Sequence, residues 1–207
     1  MNNLIYKVLS KIYDLLDVIY FRHNSPRKQI LNCISDDNVA IIDICCGTLS
    51  SGISIASQKP NSNVTGLDIS KPMLRIAKNK LQKSLLDNVH IKLGDACNTG
   101  LKANTFDYAI LALVLHESNE ELRRKMLLEI KRILKPNGKL LVMEWEKPKS
   151  IWKKIMFLPI KLSEPSPFST FYPLNKQKYF EKHGYKTVRQ YHCNYTTVLE
   201  LESEEAS

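Results

Sequence analysis

Apolar and polar positions along this 207-residue chain change period repeatedly, and each change marks the border of an element. Leu4, Val8, Ile12, Leu15, Leu16 and Ile19 recur at helical spacing over 4–22, with Tyr6, Tyr13 and Tyr20 every seven residues on a nearby stripe. Ser25-Pro26 opens a second short helix running through Ile30 and Leu31 to Ile34. Residues 39–45 form an apolar run interrupted only by Asp43, the pattern of a strand buried on both faces. A helix over 50–57 follows, then a strand over 63–69 containing Asp68 at its end. Ser70 caps the next helix, with Leu74, Ala77, Leu81 and Leu85 on one face. Residues 89–93 predict a third strand, and the nearly continuous apolar run over 106–114 a fourth. Ser118 and Glu121 form a capping box before a helix that turns Leu122, Met126, Ile130 and Ile133 inward. Lys135-Pro136-Asn137-Gly138 predicts a turn, and 140–143 a fifth strand.

The alternation stops at residue 147. Residues 147–174 hold five prolines around an amphipathic middle over 151–158. A short helix over 176–183 ends before Gly184, and 185–191 and 195–201 predict two strands joined at His192-Cys193-Asn194. Strand–helix alternation predicts an α/β fold, a mostly parallel sheet with helices on both faces. The reading is one domain over 1–207, with 1–35 as an N-terminal helical cover and 147–174 as a substrate-covering insert.

Composition is that of a globular protein large enough to bury a core without staples. The net charge of +9 admits anionic partners, but the lysines are scattered, with a local concentration at Lys147, Lys149, Lys153, Lys154 and Lys161. Cys33, Cys45, Cys46, Cys97 and Cys193 show no Cys-x-x-Cys spacing, which argues against a zinc site and for reduced thiols in the cytoplasm. Acidic Asp14 and Asp17 break the first apolar run, so neither a signal peptide nor a membrane span is read there.

Candidate chemistry lies at the strand ends, where open α/β sheets bind ligands. Three acids fall at the ends of three successive strands: Asp43, Asp68 and Asp95. A pyrophosphate dinucleotide calls for a glycine-rich turn and free helix N–H groups, and no Gly-x-Gly-x-x-Gly follows the first strand. A carboxylate at that point suits a cationic cofactor instead.

Val39-Ala-Ile-Ile-Asp-Ile-Cys-Cys-Gly-Thr48 resembles motif I of the class I S-adenosylmethionine-dependent methyltransferases, in wording close to their quinone-methylating branch. Leu67-Asp-Ile-Ser-Lys-Pro-Met-Leu74, Gly94-Asp-Ala96, Phe106-Asp-Tyr-Ala-Ile-Leu-Ala-Leu-Val-Leu-His116 and Leu134-Lys-Pro-Asn-Gly-Lys-Leu-Leu-Val142 are similar to the family's later motifs. The resemblance implies a Rossmann-like seven-stranded sheet of order 3-2-1-4-5-7-6 with one antiparallel strand. It implies S-adenosylmethionine as cofactor, held by Asp43, Cys45, Gly47, Asp68, Ile69, Met73, Asp95, Ala96 and Ala112. In that reading Asp43 faces the cofactor's cationic methionine end, Asp68 accepts from both ribose hydroxyls, and Asp95 and Ala96 meet the adenine. The family usually has Gly at the positions of Cys45 and Leu49. Leu49 is the feature that favours a degenerate, non-catalytic relative.

Methyl transfer from a sulfonium is an in-line displacement, so the protein supplies alignment, a dry site and a proton acceptor where one is needed; no metal is called for. The candidate catalytic residues are His116, Glu117 and Tyr13. His116 reads equally as a base near its own pKa and as a packing residue, and Glu117 more readily as helix N-terminal charge than as a base. Glu144 points to the same rim, with Trp145 as a pocket wall. Aromatic residues of the insert favour a small hydrophobic or amphiphilic methyl acceptor. An RNA-modifying enzyme is the alternative that the basic charge favours, ranked lower for want of an aromatic-basic surface. Lysines flanking bulky apolar residues also admit peripheral membrane contact. The oligomeric state is left open.

Overall fold

The computed structural model describes residues 25–204; the helix expected over 4–22, with Tyr13, lies outside them. Helix α1 spans Pro26–Cys33, followed by strand β1, Ala40–Ile44, and helix α2, Ser50–Gln58. Strand β2 is Asn63–Asp68, helix α3 Lys71–Ser84 and strand β3 Val89–Leu93. Strand β4, Phe106–Ala112, leads through a 3-10 turn, Leu115–Glu117, into helix α4, Glu120–Ile133. Strand β5 covers Leu134–Trp145. Helices α5, Ile151–Ser163, α6, Phe168–Phe171, and α7, Lys176–Lys182, precede strands β6, Tyr185–His192, and β7, Thr196–Ser203.

The seven strands form one sheet of order β3-β2-β1-β4-β5-β7-β6. Pairs β3 to β5 are parallel, while β7 runs antiparallel to both β5 and β6. This is the order and the single reversed strand that the motif resemblance implies. One face of the sheet packs Met126, Leu127, Ile130 and Ile133 of α4 and Phe180 of α7; the other packs Ile30 and Cys33 of α1, Ile55 of α2 and Ala77 of α3. The central strands are therefore covered on both sides, which is why they read as unbroken apolar runs.

Four local expectations are corrected. The cap of α4 is Asn119, whose Oδ1 accepts from the Leu122 amide at 3.0 Å, and not Ser118. Leu122 consequently sits one step off the buried stripe and is exposed. Leu85 ends α3 in a left-handed conformation and points to solvent. The turn predicted over 135–138 is a bulge inside one long strand: Phe106 pairs with Leu134, pairing resumes at Tyr108 with Lys139, and Lys135 reaches back to Asp107 at 2.8 Å. Ser70 does cap α3, accepting from the Met73 amide.

Candidate active site

The carboxyl ends of β1, β2 and β3 lie side by side, and the turn after β1 is shaped by backbone that side chains resist. Cys45 and Leu49 both have positive φ, 55° and 61°. These are the two positions where the resembled family has glycine, and each non-glycine residue there costs about 1 kcal/mol. At Leu49 the side chain explains the choice. It is fully buried in the core between α2 and β2, against Gly52 and Gly66, whose missing side chains leave it room. Leu49 thus fills the core beneath the turn instead of standing over its ligand side, which removes the feature that favoured a degenerate relative. Gly47, at φ 53°, has nothing within 4 Å of where a Cβ would stand.

Asp43 is buried and its Oδ2 accepts the Gly52 amide of α2 at 3.1 Å. Burial pushes its carboxyl up to about 7, against the pull of that N–H and of Arg27. Asp68 ties β2 to the β1 turn: Oδ2 accepts from Gly47 N–H and Oδ1 from Ser70 N–H, both at 2.7 Å. Each oxygen keeps a second lone pair. Ile69 stands beside it 69% exposed. In the loop after β3, Asp95 Oδ1 accepts the Cys97 amide at 2.8 Å and Ala96 is buried. Ala112 ends β4, half-buried. Burial raises the Cys45 and Cys46 thiols, with Asp43 and Asp68 adding to it, so neither is a thiolate nucleophile.

Past β4, His116 is buried between two carboxylates. Its Nδ1 lies 2.7 Å from Glu144 Oε2 and its Nε2 3.2 Å from Glu164 Oε2. Burial pulls the imidazolium down, but the two carboxylates outweigh it and hold its pKa near 10. Glu144 Oε1 also accepts the Val114 and Leu115 amides at 3.1 and 2.7 Å. Glu164 accepts from the Trp145 indole at 3.1 Å, and Arg123 reaches Leu115 O at 2.7 Å and Pro167 O at 3.1 Å. The insert is thereby clamped to the end of the sheet. Trp145, Phe157, Phe168, Tyr172 and Tyr195 form an aromatic cluster next to His116. A cavity of about 930 Å³ opens beside it, lined by Trp145, Glu164, Phe168 and Tyr172 among others. Glu117, about half exposed, sits in the 3-10 turn; partial burial and the carboxylates of Glu164, Glu144 and Asp68 raise its pKa, against the pull of His116.

Comparison with known proteins decides the family. Residues 41–138 match a family described as methyltransferase domain. The demethylmenaquinone methyltransferase of Bacillus cytotoxicus is 30% identical over 169 residues, covering 78% of this chain and 70% of that protein. The chain belongs to the class I S-adenosylmethionine-dependent methyltransferases, in their quinone-methylating branch. A methyltransferase structure from Aquifex aeolicus superposes with TM-score 0.75 at 20% identity, covering 97% of this chain and 98% of that one. A Burkholderia thailandensis 1,6-didemethyltoxoflavin N1-methyltransferase, solved with S-adenosylhomocysteine, gives 0.69 at 15% identity, covering 98% and 88%. These two show the fold.

S-adenosylmethionine is the cofactor of this methyltransferase, and the residues present fit it. The turn after β1 and the end of β2 bring Asp43 and Asp68 close enough to act on each other and on Cys45, an acidic cluster in a basic protein. That polarity suits a ligand carrying a sulfonium and an ammonium, and the open side of Gly47 leaves room for it.

Two residues at the rim differ from their sequence expectation. His116 is not a base near its ordinary pKa, because it is held as a buried cation. Glu117 is not first-turn charge of α4, a place taken by Glu120 and Glu121. Glu164 was not foreseen; its signal is that it is the only acid in the lysine-rich stretch 147–174. His116, Glu117 and Glu164 bring ligand atoms within 4.8 Å of one another. Within the trio His116 Nε2 lies 3.2 Å from Glu164 and 4.0 Å from Glu117, the geometry of an ion-pair cluster.

Proposed function

We propose that this methyltransferase moves the methyl group of S-adenosylmethionine to a small hydrophobic or amphiphilic acceptor of the demethylmenaquinone kind. The observation that carries this reading is the aromatic cluster of Trp145, Phe157, Phe168 and Tyr172 at the carboxyl end of β4 and β5, beside a cavity of about 930 Å³. Such a wall excludes water and accepts a flat apolar ring by stacking. The name carried by the relatives agrees with that chemistry.

The roles follow from position. Asp43 faces the cofactor's cationic end, and Asp68 offers its free lone pairs to the ribose hydroxyls. Asp95 and the Ala96 amide take the adenine, with Ile69 and Met73 as its apolar borders, and Cys45, Gly47 and Ala112 line the floor. When bound, the cofactor supplies an activated methyl on a cationic sulfur leaving group. Glu117, with its raised carboxyl, accepts the proton that the acceptor loses. His116 is a positioning residue that fixes Glu144 and Glu164, and so the wall, around the acceptor. Tyr13 is a further candidate by its sequence position. The free thiols fit a reducing cytoplasm.

The test is transfer of labelled methyl from S-adenosylmethionine to a demethylmenaquinone with a shortened tail, run beside bulk tRNA. Methylated quinone product is expected. Methylation of the RNA with none of the quinone would overturn the reading and install the RNA-modifying alternative.

A further inference from the structure

We propose that the outward face of α5 docks the protein on an anionic lipid surface. Ile151, Trp152, Ile155, Met156, Leu158 and Leu162 are each 50% to 76% exposed. They occupy one broad stripe at i, i+4, i+7 and i+11 spacing, with Trp152 and Met156 beside it. Phe157 and Ile160, on the opposite side, are buried in the aromatic cluster and hold the helix to the fold. The helix is therefore anchored by one apolar face and presents a second one to solvent. Contiguous exposed apolar surface of this kind marks an interaction site.

The charges around the stripe select its occupant. Lys147, Lys149, Lys153, Lys154 and Lys161 surround it, and residues 147–163 contain no acid. Lys147, Lys149, Lys154 and Lys161 are exposed, while Lys153 bonds Asn194. A second copy docked by two-fold symmetry would set like-charged lysine rows against each other. An anionic bilayer takes both parts at once: the apolar stripe sinks to the acyl boundary and the lysines meet headgroup phosphates. At 13 residues α5 is too short to cross a membrane, and no helix among the described residues is long and apolar enough to do so. It lies flat. Lys147 and Lys161 also line the 930 Å³ cavity, so docking sets the mouth of that cavity toward the lipid. The inference extends the reading of an amphiphilic acceptor but rests on its own surface.

The experiment is co-sedimentation of the full chain with phosphatidylcholine vesicles, with and without about 30 mol% phosphatidylglycerol. Binding is expected to the anionic vesicles alone, falling steeply at about 0.5 M salt. The variant Trp152→Ser/Leu162→Ser and the variant Lys154→Glu should each weaken it by about tenfold or more. Both variants change exposed residues, so their melting temperature and S-adenosylhomocysteine affinity should equal those of the parent. That affinity separates failure here from failure of the proposed function. Equal binding by parent and variants, no binding to either vesicle, or a dimer in sedimentation velocity that Trp152→Ser/Leu162→Ser dissolves would each overturn the proposal.

Discussion

The imidazole of His116 donates through Nδ1 to Oε2 of Glu144 at 2.7 Å, joining the turn after β4 to the end of β5. The same ring bonds Glu164 of the insert through Nε2. One buried cation thus holds two carboxylates from two different elements.

This pair sets a stability profile. His116 moves from an ordinary 6.5 to about 10 on folding. Because the folded value is raised, its contribution is complete below about 6.5 and is lost as pH rises toward about 10. Across that window each pH unit removes up to about 1.4 kcal/mol. His116→Gln should destabilise the protein by about 3–5 kcal/mol near neutrality, since it leaves buried carboxylates unpaired. The gap to the parent should then narrow toward high pH. Urea unfolding of both proteins at several pH values checks this, and a gap that stays constant would show that the ring is neutral.

Asp43 sets a second dependence, on cofactor affinity. Burial holds its carboxyl near 7, so much of it is protonated in slightly acid solution. A cation bound beside it favours the ionised form. The Kd for S-adenosylmethionine should therefore tighten as pH rises from about 6 to 7.5, by at most about tenfold per unit. Asp43→Asn should bind more weakly and without that slope. Calorimetry on both proteins decides, and an equal slope in the variant would place the titrating group elsewhere.

The strands and the three acids near their carboxyl ends were legible because apolar runs with an Asp at or beside their end are local signals, while the strand order came from the motif resemblance. Leu49 was legible only in part: its position in the motif could be read, but the direction of its side chain depends on Gly66 in the next strand. The state of His116 was hidden for the same reason. Glu144 lies 28 residues away and Glu164 48, and only the sheet and the insert bring them together. The bulge at 135–138 carried true turn residues, yet the partner strand continues past it. Local pattern reports the chain's own geometry; charge states and packing come from contacts distant in sequence.

Leu49→Gly weighs strain against packing. Glycine removes about 1 kcal/mol of left-handed strain. Losing the buried side chain costs more, about 2–5 kcal/mol for a leucine truncation. The net should be a loss of about 2 kcal/mol or more, lowering Tm by roughly 4–8 °C. Cofactor Kd should change little, because the side chain lies under the turn. A variant that gains stability, or binds S-adenosylhomocysteine about tenfold tighter, would show that Leu49 obstructs the pocket.

Asp68 has two jobs that two variants separate. Asp68→Ala should lose cofactor bonds worth about 1.5–3 kcal/mol, about tenfold or more in Kd. It should also lower Tm, because the Gly47 and Ser70 amides lose their acceptor. Asp68→Asn keeps one acceptor oxygen and should recover part of the Tm but little of the affinity. Full affinity in folded Asp68→Asn would rule out a charge-assisted bond to the ribose.

Glu117 carries the chemistry in this reading, and its variant should act on rate alone. It belongs to the 3-10 turn, outside the helix cap; its backbone N–H donates to Val114 O, and its side chain makes no hydrogen bond among the described residues beyond a 4.0 Å approach to His116. Glu117→Gln should therefore keep the parent's Tm and its S-adenosylmethionine Kd. It should lower kcat by about 10²–10⁴, the range of a lost general base. The parent's rate should rise with pH along a limb set above the ordinary carboxylate range, because partial burial and neighbouring carboxylates raise this group. In Glu117→Gln that limb should vanish, leaving a low rate without it. Single-turnover measurements with saturating cofactor separate the chemical step from product release. A variant with unchanged kcat and the same acid limb would assign the proton to another group or to water, and would leave Glu117 as part of the acidic field around the cofactor.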